Sequence, residues 1–149
     1  MPGLLLGNSS PYTLQFTRKT ITFTGAANLG AVGNVPLFTT TGEVLVAILV
    51  PFCTTDLTEA LATATLALGV TGATTLFIAA TTATAIDAGE FWVDTAPDPN
   101  GIAIPAALKD IAITDNIVGT VAAQAVNGGV LRLDCYWMPL SADGSLVAA

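Results

Sequence analysis

The chain has no histidine, two cysteines and only four basic residues in 149. Without imidazole it lacks the commonest general base, the commonest metal ligand and the one side chain that titrates unperturbed near pH 6.5. Composition therefore argues against an enzyme. The four basic residues (Arg18, Lys19, Lys109, Arg132) face eleven acids, for a net charge of −7. Phosphate backbones are held by clustered Lys and Arg, and here only Arg18-Lys19 stand together, so no nucleic-acid partner is expected. Docking on an anionic membrane is disfavoured for the same reason. Cys53 and Cys135 form no CxxC spacing, and a zinc site would need more thiols than the chain has. No metal and no cofactor are expected. Both cysteines sit in apolar runs, where a free thiol packs as a small hydrophobe; a disulfide between them is the alternative.

Long lipid-facing runs are missing too. The start, Met1-Pro2-Gly3-Leu4-Leu5-Leu6-Gly7, puts no basic residue ahead of its three leucines and does not read as a signal peptide. Residues 60–86 carry no charge, yet eight threonines and two glycines interrupt them, a pattern of two-sided strands rather than a membrane helix. What the chain has in quantity is apolar surface. Hydrophobic residues make up 52% and charged residues 10%, against about 25% charged in an average domain. A monomer so composed would expose larger apolar patches than soluble monomers usually do, so a homo-oligomer is expected.

The hydrophobic period is two. Thr20-Ile21-Thr22-Phe23-Thr24 alternates, and residues 43–52 form a continuous β-branched run suited to a strand covered on both faces. Further strands are read at 62–70, 74–79, 90–94, 110–114, 117–122 and 130–138, the last after the turn signal Asn127-Gly128-Gly129. Eight or nine closely spaced strands predict an all-β sandwich or barrel rather than βαβ units, and the fold expected is a single-domain β-sandwich over residues 16–149. Residues 1–15 have no pairing pattern of their own and read as an extended N-terminal arm onto a partner. Residues 56–62 alone could support a helical turn. Residues 25–36 and 94–105, rich in Gly, Asn or Pro, read as irregular loops.

Several constellations invite a chemical reading. Asp94, Asp98 and Asn100-Gly101 faintly echo a calcium loop, but the spacing is wrong and no glutamate closes it. The glycines at 25, 30 and 33 follow a strand but precede Pro36 and another strand, so no helix N-terminus is there to hold phosphate. Ser9, Ser10, Ser141 and Ser145 have no base to activate them. Trp92, Tyr136 and Trp137 fit either a sugar-stacking platform or core and interface anchors.

The last strand separates those two roles by face. Leu131, Leu133, Cys135 and Trp137 share one side and are expected in the core. Arg132, Asp134, Tyr136 and Met138 share the other, a mixed aromatic and charged surface of the kind found at interfaces. With Tyr12 and Phe16, the residues Arg132, Tyr136 and Met138 form the expected contact set.

The segments 20–25, 29–33, 43–46, 86–94 and 136–141 together resemble small virion proteins of tailed bacteriophages and prophages, of the capsid decoration (cement or auxiliary) kind. The resemblance implies a jelly-roll-like sandwich that sits as a trimer on the capsid surface, contacts the major capsid protein and locks neighbouring capsomers. It implies a virion protein made in the host bacterial cytoplasm. No capsid-contact motif maps onto numbered residues. A phage tail or fibre component and a small carbohydrate- or receptor-binding sandwich are the competing readings.

Overall fold

Alternation at period two becomes strand wherever one face finds a core. In strand β8 (Gly128–Pro139) the residues Leu131, Leu133, Cys135 and Trp137 are buried, while Tyr136 on the opposite face is 44% exposed. The computed structural model describes residues 13–149; Tyr12 and the expected arm up to residue 12 lie outside the described residues. Before β8 come β1 (Gln15–Thr22), β2 (Gly33–Thr41), β3 (Val44–Thr58), β4 (Thr65–Val70), β5 (Ala73–Thr82), β6 (Lys109–Ile113) and β7 (Ile117–Ala122), and after it β9 (Ser145–Ala148).

Two antiparallel sheets form, one ordered β1-β8-β3-β6 and the other β5-β4-β7-β2-β9. The pairing is nested: β1 with β8, β2 with β7, β3 with β6 and β4 with β5. The all-β sandwich is as expected. Between the sheets lies one core, built on Val35, Phe38, Leu49, Leu66, Leu68, Trp92, Leu131 and Leu133. Connections 23–32, 59–64, 83–108 and 123–127 all lie at one end of the sandwich. The opposite end carries the connections 42–43, 71–72, 114–116 and 140–144.

Three local expectations are corrected. Residues 25–36 are not irregular throughout: β2 begins at Gly33, and a register shift between Pro36 and Phe38 lets the neighbours Leu37 and Phe38 both be buried. That bulge hides the alternation from a period-two reading. Residues 56–62 do not form a helical turn. Asp56, Leu57 and Thr58 complete β3, because the Leu57 N–H donates to the Ile86 carbonyl (3.2 Å) and the Asp56 carboxylate accepts the Ala88 N–H (2.7 Å). Residues 90–94 do not form a strand; Phe91 makes isolated bridges to Phe52 and Asp98, and the chain then turns away. Strand β9 has no counterpart in the sequence reading.

The thiols are free and buried. Cys53 pairs with Leu131 and Cys135 with Leu49, so they stand four positions apart along the β3–β8 ladder. That is roughly 13 Å at a strand's rise, beyond a disulfide's reach. Burial pushes the Cys53 thiol up to about 11 and the Cys135 thiol to about 12.

Candidate interaction surface

The outer face of the four-stranded sheet brings the described members of the expected contact set together. Register places Phe16 beside Tyr136, Tyr136 beside Ile48, and Ile48 beside Lys109, one row across all four strands. One step along lie Arg18, Asp134 and Val50, and one step further Thr20, Arg132 and Phe52. Met138, half-buried, lies opposite Leu45 at the other margin.

Ring and ion contacts run continuously through these rows. Phe16 and Tyr136 are 47% and 44% exposed, with centroids 4.9 Å apart and planes tilted at 47°. The Arg18 guanidinium lies 5.5 Å from the Phe16 centroid. Its Nε and Nη2 donate to the two Asp134 oxygens at 2.6 and 3.1 Å, and this bond holds the guanidinium above its ordinary pKa. On the far side of Asp134, the Arg132 Nε approaches Oδ2 at 3.4 Å, and its guanidinium covers the Phe52 ring at 5.0 Å. Phe52 meets Phe91 edge-on at 5.0 Å. Exposed ion pairs contribute little to stability. What this one does is fix two long side chains, Arg18 over the exposed Phe16 ring and Arg132 over the half-buried Phe52 ring, so less side-chain freedom is lost when a partner binds. Preset aromatic and Arg groups of this kind dominate binding energy at protein interfaces.

The pairing of Arg132 with Asp134 follows from the last strand's alternation. Arg18, Phe52 and Phe91 leave no local signal in the sequence, since only strand register brings them to Asp134 and Arg132. The other aromatics are elsewhere. Trp92 is 1% exposed and donates from Nε1 to the buried Thr81 Oγ1 at 3.0 Å, and Trp137 is 8% exposed and donates to Thr17 Oγ1 at 2.9 Å. Neither offers a face to a sugar, which corrects the stacking-platform alternative. Asp94 and Asp98 each accept a backbone N–H two residues on, from Ala96 and Asn100, as turn carboxylates do. Asp87 is raised above the ordinary carboxylate range, by burial first and then by Glu90 and Asp56. Among the described residues no three Cys, Asp or Glu side chains group as metal ligands, and no helix is long and apolar enough to cross a membrane.

No protein-family model matches the chain, and a search of curated proteins returned no match. Among solved structures, it is similar to a chain of the "Cyanophage Pam1 capsid asymmetric unit", at 20% identity and a TM-score of 0.49 over 86% of each chain.

Proposed function

We propose that this chain is a structural virion protein that decorates the outer surface of a tailed-phage capsid, where it stabilises contacts between capsomers. It acts without a cofactor and is not an enzyme. The observation that carries the proposal is the Phe16–Tyr136 pair with its Arg18–Asp134–Arg132 clamp, an exposed, preset aromatic and cationic face on a rigid sheet. Three of the chain's four basic residues (Arg18, Arg132 and Lys109) stand on that outer side, with Asp110 beside Lys109 at its edge. On a chain of net charge −7, such concentration suits an acidic, partly apolar patch on the major capsid protein.

The sequence resemblance to decoration proteins supplies the virion setting. The nested strand pairing supports the jelly-roll reading; that fold serves viral capsid domains and lectins alike, so it does not choose between shell and glycan. The two buried tryptophans favour the shell, since among the described residues the exposed aromatic rings are Tyr136 and Phe16. The functional unit is a homo-oligomer, read as a trimer, made in the host cytoplasm and mounted on the shell. Electron microscopy of purified particles with and without this protein tests the reading. Density lost from the outer shell supports it; density lost from the tail, or no change, contradicts it.

A further inference from the structure

We infer that the chain meets copies of itself through the charge-poor part of one end of the sandwich, where connections 23–32, 59–64 and 123–127 present Leu29, Val32 and Leu61. This rests on the self-association part of the reading above and is independent of the shell contact.

Charge is segregated between the two sheets. All four basic residues belong to the four-stranded sheet, in β1, β6 and β8, as do Asp56, Asp110 and Asp134. The five-stranded sheet carries no ionisable side chain in any strand: β2, β4, β5, β7 and β9 contain none. Neutral ground continues into the three connections, where Glu59 is the one ionisable residue. Its Oε2 accepts the N–H groups of Thr63 and Ala64 and so staples the loop, while its Oε1 is buried without a hydrogen-bond partner. The fourth connection at this end, 83–108, carries Asp87, Glu90, Asp94 and Asp98 and lies outside the proposed contact.

Apolar side chains stand out from the neutral end. Leu61 is 70% exposed, Val32 61% and Leu29 41%. Their loops are held in place. The Leu61 N–H and Thr63 Oγ1 both donate to Gln124 Oε1, at 3.1 and 3.4 Å. The Val126 N–H donates to the Gly30 carbonyl at 2.8 Å, and the Thr24 N–H to the Leu29 carbonyl at 2.8 Å. The central connection 123–127 thus ties the outer two into one surface.

The choice of a second copy follows from charge. Each copy carries −7, so copies repel one another on approach, and a contact that adds further acid would oppose association more. A homotypic contact is least opposed where charge is sparsest. A foreign acidic partner fits the cationic sheet face instead.

The test is sedimentation equilibrium of the full chain without shells, for wild type and for Val32→Asp, Val32→Lys, Leu61→Asp and Leu61→Lys. Because both sites are exposed in the single chain, the variants should keep the wild-type circular dichroism spectrum, and melting temperature should fall only as far as lost association requires. Wild type should sediment as several copies, and both the Asp and the Lys variants should raise the dissociation constant at least about tenfold, since either sign is desolvated at a neutral contact. Phe16→Ala with Tyr136→Ala should leave the mass unchanged. A wild type that stays at 15.1 kDa up to about 100 μM overturns the inference. So do Asp variants that keep the wild-type mass. Strengthening by Lys with weakening by Asp would place this end against an acidic surface and overturn it as well. Loss of shell binding in the Phe16 and Tyr136 variants is a separate result and bears only on the docking face.

Discussion

Trp92 and Thr81 form a buried polar pair: the indole Nε1 donates to Thr81 Oγ1 at 3.0 Å, with the two residues 1% and 2% exposed. The Thr81 hydroxyl in turn donates to the Ala79 carbonyl at 3.0 Å. The pair fastens connection 83–108 to edge strand β5. Thr81→Val would leave the indole N–H buried without an acceptor and should cost about 1–3 kcal/mol. Adding Trp92→Phe should recover part of that loss, because no donor is then stranded. Urea denaturation of both variants measures it. Equal or greater destabilisation in the double variant would show that ring volume, not the hydrogen bond, dominates.

Neighbours in sequence, Trp137 and Tyr136 should behave oppositely. Trp137 packs in the core at the β1 edge, and its indole bonds Thr17 Oγ1, which donates on to the Leu146 carbonyl at 3.0 Å. Trp137→Ala should lower stability by about 3–5 kcal/mol. Tyr136→Ala should cost about 1 kcal/mol, the loss of one exposed ring pair, and act mainly on binding to the shell. If Tyr136→Ala unfolds the domain while Trp137→Ala is tolerated, the strand's faces are reversed.

Period-two alternation made the two faces of β8 legible, and with them Phe16, Arg132, Tyr136 and Met138 as one surface. It failed where the backbone leaves period two. The bulge at Pro36/Phe38 hid β2, and at the end of β3 the extended path of Asp56–Thr58 depends on partners some 30 residues away at Ile86 and Ala88. Strand β9 is four residues of small or apolar character, and only pairing with β2 defines it. The charge-free stretches were visible in sequence; that they assemble into one sheet was not. Arg18 lies 116 residues from Asp134, a separation that no local pattern bridges.

Stability should be level from about pH 5.5 to 8 and fall above about pH 9. The unfolded chain's thiols ionise near 8.5, whereas burial holds Cys53 and Cys135 at about 11 and about 12. With the folded values raised, their contribution is complete below the unfolded value and is lost as pH rises towards the folded ones. Asp87 has the same sign in the acid range, so Asp87→Asn should not reduce stability at pH 7. Melting temperature against pH checks this. A Cys53→Ala, Cys135→Ala variant should decline more gently at alkaline pH, and a steep transition near pH 6 in wild type would contradict the assignment.

Gly30 and Gly33 should differ although both have positive φ, +119° and +124°. A Cβ at Gly30 would run into the Val126 carbonyl oxygen, while at Gly33 it meets open space. Gly33→Ala should cost about 1–2 kcal/mol in backbone strain. Gly30→Ala should cost more and disturb the Leu29–Val32 loop. Equal melting temperatures for the two variants would contradict this.

The central claim is that the aromatic and cationic face of the four-stranded sheet holds the protein to its shell. Its most direct measurement is cosedimentation with purified shells stripped of this protein, across a salt series, for wild type and for Phe16→Ala with Tyr136→Ala. The account predicts binding that weakens as salt rises, and a further loss of about tenfold or more in the variant, with oligomer mass unchanged. Equal shell binding by variant and wild type at every salt concentration would contradict it.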